Sequence, residues 1–367
     1  MGFKCGVVGL PNVGKSTVFN TLTRSQVAVA NYPFCTIEPN VGVVTVPDLR
    51  LLAISEIVKP KRTLPAIVEF VDIAGLVKGA SQGEGLGNKF LANIRETQAI
   101  AHVVRCFSNG NITHVAGSVD PVRDVETINT ELILADLETV EKSIDRAAKA
   151  AKGGSQELRQ SVDLLKEVMA ALNQGIPVRK LLQEDQNKYS FLRSLQLLTA
   201  KPVFYVANLD EESLKHPMKN NGLLELKKLA DSENTKVVTL CAIIEDEISK
   251  LDEEDRKMFL DDLGINEPGL NQVIEVGYDL LGLQTYFTAG VSEVRAWTIK
   301  KGTKAGAAAG VIHSDFERGF ICAEIIAYQD YLNCRGEARA KELGKLRIEG
   351  REYLMQDADV VHFRFNV

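Results

Sequence analysis

Gly9-Leu-Pro-Asn-Val-Gly-Lys-Ser16, followed by Thr17, has the spacing G-x-x-x-x-G-K-[ST] of a phosphate-binding loop. Its flanks agree. Lys4-Cys-Gly-Val-Val-Gly9 before it reads as a short buried strand. Ser16-Thr-Val-Phe-Asn-Thr-Leu22 after it reads as a helix with Val18, Phe19 and Leu22 facing inward. Gly9 and Gly14 let the backbone curl so that successive N–H groups point into one concavity. That concavity sits at a helix N-terminus, where the dipole favours anions. The run Asn12, Val13, Gly14, Lys15, Ser16 and Thr17 is therefore a cradle for phosphate. Lys15 supplies a point charge for the β- and γ-phosphates, and the Ser16 hydroxyl is placed to ligate Mg²⁺.

The rest of the composition sets bounds. At 367 residues, two or three domains are expected. With 45% hydrophobic and 25% charged residues the chain is ordinary for a soluble protein. A net charge of −6 excludes a polycation, so contact with nucleic acid needs a local basic face and sequence-specific DNA binding is not expected. The cysteines Cys5, Cys35, Cys106, Cys241, Cys322 and Cys334 form no C-x-x-C pair and read as reduced thiols of a cytoplasmic protein. A strand starting almost at Met1 leaves no room for a signal peptide. No apolar run is long enough for a bilayer, so no membrane partner is expected.

Outward from the loop, Pro33 and Pro39 place Thr36 on an extended segment before the strand Val41–Val46. Thr36 is the candidate second Mg²⁺ ligand, in the place of a switch I threonine. The strand ending Phe70-Val-Asp72 carries Asp72-x-x-Gly75, the Walker B and switch II pattern. Asp72 would hold Mg²⁺ through water, at the strand end where open α/β sheets put their ligands. Gly75 can turn its N–H toward the γ-phosphate.

Gly75-Leu-Val-Lys-Gly-Ala-Ser-Gln-Gly-Glu-Gly-Leu-Gly87 has five glycines in thirteen residues. Together, Asp72-Ile-Ala-Gly-Leu-Val-Lys-Gly-Ala and Gly-Leu-Gly-Asn-Lys-Phe90 closely resemble the Obg-type branch of P-loop GTPases. Leu76 stands where signalling GTPases carry the glutamine that orients the attacking water, and leucine has no hydrogen bond to offer. His114, on the polar loop Ser108–His114 beyond another buried strand, is the candidate replacement; a plain surface histidine is the alternative. His102, inside that strand, reads as a packed residue.

The strand Lys201–Asn208 runs into Asn208-Leu-Asp-Glu211, where GTPases have Asn-Lys-x-Asp for the guanine base. Leu209 replaces the lysine and offers an apolar platform; Glu211 replaces the aspartate and would meet a different pattern on adenine. One altered acceptor can reverse base choice, since sites built on hydrogen bonds discriminate by factors on the order of 10⁴. The strand Lys236–Ala242 ends where a Ser-Ala-Lys loop is expected, so backbone near Cys241, Ala242 and Ile243 should line the base pocket. With these departures the chain resembles the YchF subfamily, the Obg-like ATPases, from end to end. That resemblance implies ATP as substrate in preference to GTP; Leu76 implies slow intrinsic hydrolysis unless another group positions the water. Asn12 resembles the asparagine of potassium-stimulated relatives, which adds K⁺ to Mg²⁺ as a cofactor to test.

Leu137, Val140, Ile144, Ala147 and Ala151, then Leu158, Val162, Leu165, Met169 and Leu172, recur at helical spacing on either side of Lys152-Gly-Gly-Ser155. This predicts an antiparallel helical hairpin inserted at 126–200. It divides a nucleotide domain of 1–125 and 201–281. From 201 to 281 there are 9 Lys and Arg against 18 Asp and Glu; from 282 to 367 there are 12 against 11. The acidic runs Glu245–Glu247 and Asp252–Asp255 read as exposed helix faces. The change near Leu281 marks a boundary to a mixed β-grasp domain at 282–367. Its ending, Gln356–Val367, resembles a TGS domain, which implies work on RNA or the ribosome. Lys300, Lys301, Lys304, Arg335, Arg339, Lys341 and Lys345 could form a basic face, with a mixed-charge surface as the alternative. The expected whole is a cytoplasmic α/β P-loop ATPase switch that associates with the ribosome. The rivals are a GTP-specific regulator, a small-molecule kinase and an RNA-binding module with a vestigial site.

Overall fold

The computed structural model describes residues 3–24, 40–73, 86–108, 117–151, 156–185 and 187–366. The strands are β1 (Lys4–Val8), β2 (Val41–Thr45), β3 (Thr63–Leu64), β4 (Ile67–Asp72), β5 (Ala99–Arg105), β6 (Val203–Asn208), β7 (Val237–Leu240), β8 (Leu283–Ala289), β9 (Val294–Lys300), β10 (Phe320–Ile326), β11 (Arg347–Glu349) and β12 (Val360–Phe365). The chain divides into one unit of Met1–Gly42 with Glu69–Gly277 and a second of Val43–Val68 with Tyr278–Val367.

The first sheet has the order β2-β4-β1-β5-β6-β7. The pairs from β4 through β7 are parallel. Every residue of β5 and β6 is buried, as continuous apolar runs flanked by helices should be. The register aligns Val7 with Asp72 and Arg105 with Asn208, so the carboxyl ends of these strands share one edge. His102 packs at 5.8 Å from the Tyr205 ring; burial, then the charge of Arg179, pushes its titration down to about 3. It is a neutral packed residue, as its strand setting predicted. Cys5, Cys106, Cys241, Cys322 and Cys334 are free thiols.

The helical insertion is the expected hairpin, but its first helix begins at Pro121 rather than near 126. Asp120 caps it, accepting from Arg123 N at 3.0 Å, and proline suits a first helical position. The helices Pro121–Ala151 and Gln156–Asn173 bury Ile133, Val140, Leu165, Val168 and Leu172 between them, with Leu137, Ile144, Ala147 and Met169 partly covered. The turn at 152–155 and the side chains of Ala151 and Leu158 lie outside the described residues. Buried Asp136 anchors the root, accepting from Leu198 N at 2.8 Å and from both Thr199 N and its hydroxyl at 2.7 Å.

The second unit holds a mixed sheet, order β11-β10-β12-β8-β9-β3. β8 and β9 form an antiparallel pair, β12 runs parallel to β8, and β10 runs antiparallel to β12. Tyr286, Ala308, Ala309, Ile325 and Phe363 form the core on one face. β8, β11 and β3 were not anticipated.

The larger surprise is Val43–Val68, expected inside the nucleotide domain. It groups with the C-terminal strands. β3 pairs with β9, and the helix Leu49–Val58, capped by Asp48, turns buried Leu51 and Ile54 inward. Arg50 bonds Asp48 at 2.9 Å and Asp357 at 2.5 Å within the same unit. An apolar helix face must be covered, and a charge count along the chain cannot register an early segment that supplies a late sheet.

The basic residues of this unit are distributed with acids. Lys301 lies 2.7 Å from Asp279, Lys345 lies 3.3 Å from Asp330, and Lys304 pairs with Glu352. Arg335, Arg339 and Lys341 are exposed. The surface there is of mixed charge.

Candidate functional site

At the phosphate end, β1 delivers the loop into the helix Lys15–Arg24, and Val18 N bonds Gly14 O at 3.0 Å as the first turn forms. Asn12 has φ 63° and Gly14 φ 92°, so two positions take left-handed backbone to close the cradle. Gly14 has a second reason to be glycine. A Cβ there would fall 2.2 Å from Asn208 Nδ2. Ser16 and Thr17 are exposed at the helix start, with Asn12 exposed beside them. Lys15 is 8% exposed, and its ammonium forms an ion pair with Asp72 at the end of β4. Lysine and carboxylate, predicted to serve phosphate and metal, thus hold each other.

The base end is assembled from three segments. Asn208, 4% exposed, donates from Nδ2 to Val13 O at 2.9 Å and accepts at Oδ1 from Ala242 N at 3.0 Å. One side chain therefore ties the phosphate loop to the loop after β7. Glu211 opens the short helix Glu211–Lys215, whose cap is Asp210, and its carboxylate pairs with Lys215 at 2.8 Å. Ser108, Glu211, Lys215, His216 and Lys219 border an open depression of about 700 Å³.

Leu209 differs from expectation. It is 2% exposed and its N–H bonds Leu240 O at 2.8 Å, so it packs beneath the site instead of presenting an open platform. An apolar side chain between two buried strands ends up in the core. Glu245 also differs. The acidic run Glu245–Glu247 was read as an exposed face, yet Glu245 is 3% exposed because it caps a neighbouring helix. Burial raises its titration to about 7, against the lowering effect of bonds from Gly269 N and Leu270 N.

Thr36, Gly75, Leu76 and His114 lie outside the described residues. Of the expected site, the structure brings together Asn12 to Thr17, Asp72, Asn208 and Ala242, with Glu211 on the helix after β6. Among the described residues, no group of three His, Cys, Asp or Glu side chains could hold a metal ion alone. No helix among them is long and apolar enough to cross a membrane.

Two family profiles match. One, described as a 50S ribosome-binding GTPase, covers residues 4–135; the other, the YchF GTPase C-terminal domain, described as of unknown function, covers 283–366. The chain is 57% identical to the ribosome-binding ATPase YchF of Haemophilus influenzae and 55% identical to that of Bacillus subtilis, over 100% of both chains in each case. A solved structure of the Schizosaccharomyces pombe YchF GTPase superposes with a TM-score of 0.89 at 40% identity, covering 99% of this chain and 98% of that one.

Proposed function

The chain belongs to the YchF family, and on that premise we propose that it is a nucleoside triphosphatase that takes ATP in preference to GTP and works on the ribosome in the cytoplasm. The observation that carries the chemistry is the cradle Gly9–Ser16 at a helix start with Lys15 against Asp72. The printed names of relatives differ on the nucleotide, ATPase for the bacterial proteins and GTPase for the yeast one. Glu211 in place of the guanine-reading aspartate favours adenine.

Phosphoryl transfer needs mainly positioning and charge compensation. Loop N–H groups orient the phosphates. Lys15 moves from Asp72 to the β- and γ-oxygens. The freed Asp72 carboxylate and the exposed Ser16 hydroxyl are hard oxygen donors that suit Mg²⁺, with Thr36 as the further donor. The ion, once bound, would neutralise phosphate charge. His114 orients water in place of Leu76. Asn12 is the residue to vary in a comparison of K⁺ with Na⁺. The nucleotide body, the hairpin and the C-terminal sheet form three functional parts.

Calorimetric titration with non-hydrolysable ATP and GTP analogues tests the base choice. ATP should bind at least about tenfold tighter, the worth of one hydrogen bond to a charged acceptor. Equal or tighter GTP binding would return the chain to the guanine-specific class. For the ribosome, co-sedimentation should weaken linearly in log K against log salt. Charge reversal at exposed Arg339 and Lys341 tests the C-terminal part. Cutting the chain at Leu281 would not, since it strips the partner strands from Val43–Val68.

A further inference from the structure

Glu245 and Asp246 are neighbours on the helix Ala242–Ile248, whose first residue makes the bond to Asn208. They work in opposite directions. Asp246 reaches the phosphate-loop helix, 3.3 Å from Arg24 and 3.5 Å from the Thr21 hydroxyl, with Lys250 at 2.7 Å. Glu245 points into the protein. Its Oε1 accepts from Gly269 N at 2.7 Å and its Oε2 from Leu270 N at 3.3 Å, the first two residues of the helix Gly269–Leu280. That helix start sits hard against β7. A Cβ on Gly269 would lie 2.7 Å from Leu240 Cβ and 3.0 Å from Thr239 O. The loop at the base end is thus held by Asn208, by Asp246 and by Glu245, and of the two carboxylates only Glu245 is buried.

We propose that Glu245 is a positioning residue for the base end of the nucleotide site: ionised, it holds the loop of Cys241, Ala242 and Ile243 in the binding form; protonated, it loosens it. The proposal rests on the reading of this site as one for ATP. An ionised carboxylate accepts from both N–H groups and faces the positive end of the helix dipole. The protonated acid keeps one good acceptor, and its new O–H points among donors.

Charged neighbours do not set the balance; burial raises the titration and the two N–H bonds oppose it. Cys241 is the titratable neighbour coupled to it, its thiol raised by burial first and then, after its own backbone bonds, by Asp210 and Glu245. The strand β7, Val-Val-Thr-Leu, brings no ionisable group. Glu267 precedes the capped helix, while Glu275 and Asp279 stand on its later turns. Asp246, Glu247 and Lys250 lie on or just past Glu245's own helix, and Arg24 is on the phosphate-loop helix.

Two opposite pH trends follow. For folding, a carboxyl raised above its unfolded value of about 4.3 contributes stability that is present below that value and is lost as pH rises through about 7. For ATP, the ionised form is the binding form, so affinity rises over the same interval. A purely structural role would move both together.

The test is a fluorescence-competition titration of the full chain from pH 6 to pH 8, with MgATP and with inorganic tripolyphosphate as probes. Tripolyphosphate occupies the phosphate loop without a base and reports phosphate titration alone. In the wild type, ATP affinity relative to tripolyphosphate should fall roughly three- to tenfold from pH 8 to pH 6, the range one charge-assisted bond commands. Glu245→Gln should flatten that ratio, and Asp246→Asn should leave its pH step in place. A ratio without a step in the wild type, or the same step in Glu245→Gln, overturns the proposal. If Glu245→Gln does not fold, the wild-type ratio alone decides. Failure of the wild type to bind ATP at any pH would instead remove the ATP reading.

Discussion

At the phosphate end the groups that matter come from one run of residues, Gly9 to Thr17, and one strand end, Asp72. At the base end they come from Asn208, Glu211 and Ala242, carried by β6, the helix after it and the loop after β7. The first end is built of backbone N–H groups and a paired charge, Lys15 with Asp72. The second is built of a fixed side chain, Asn208, with both polar atoms engaged, and an exposed one, Glu211, resting on Lys215. Phosphate is gripped by geometry that any P-loop protein shares. The base is chosen by side chains whose roles depend on what lies around them. Mutations at the two ends should therefore fail in different ways.

The largest effect is expected from Lys15→Ala. Its charge is needed only when phosphate is present, so turnover should fall at least about 10³-fold. Unfolding in urea should shift little, because Asp72 keeps partial access to water with 22% side-chain exposure. ATPase activity near wild type would break the assignment of the phosphate end.

His114→Ala comes next. If this histidine orients the attacking water, turnover drops by roughly 10²–10⁴-fold, the range for a positioned acid–base group. ATP affinity should stay nearly constant, since the group acts in the transition state. Unchanged turnover, alone and with ribosomes, would pass the role to a backbone group, to Lys78 or to the partner.

Asn208→Ala sharpens the contrast. It leaves Val13 O and Ala242 N buried without their bonds, which costs about 2–6 kcal/mol at 1–3 kcal/mol for each lost partner. Chemical denaturation measures it. Here, unlike at Lys15, stability and nucleotide affinity should fall together. A variant as stable as wild type would show that the two loops are joined by other means.

Legibility in the sequence followed the same division. The phosphate loop was readable because its groups are contiguous and its flanks show the right periodicities. The hairpin was readable because alternating steps of three and four run from Leu137 to Ala151 and again from Leu158 to Leu172, on either side of a glycine turn. Asn208 could be located by motif, but its bridge to Val13 exists only after β1 and β6 are aligned through β5. Leu209 and Glu245 were misjudged for one reason. Burial is a property of the assembled fold, and an apolar residue beside a ligand motif or an acid within a charged run gives no local sign of it. Val43–Val68 escaped because no pattern in a segment says which sheet it will join. β8 starts only three residues after the preceding helix ends at Leu280, with Gly282 at φ 66° as the turn residue between them.

The smallest and most specific effect is expected from Glu211→Asp. Glu211 has 61% side-chain exposure and its ion pair to Lys215 spans a single helical turn. Such exposed pairs contribute about 0.3–0.5 kcal/mol, so stability should stay within measurement error of wild type. Shortening the side chain by one methylene draws the carboxylate back from the adenine edge. It also moves the site toward the aspartate of guanine-binding relatives. The ratio of ATP to GTP affinity should then fall about tenfold, corresponding to one hydrogen bond lost on one base and partly regained on the other. Leu209→Lys is the wrong companion, because position 209 is buried and an ammonium there would be desolvated. Asn208→Ala and Glu211→Asp thus form a matched pair at the same end of the site. The first should change stability and both nucleotides alike; the second should change only the ratio. A Glu211→Asp variant that loses ATP and GTP binding equally would mean that Glu211 supports the loop and does not read the base.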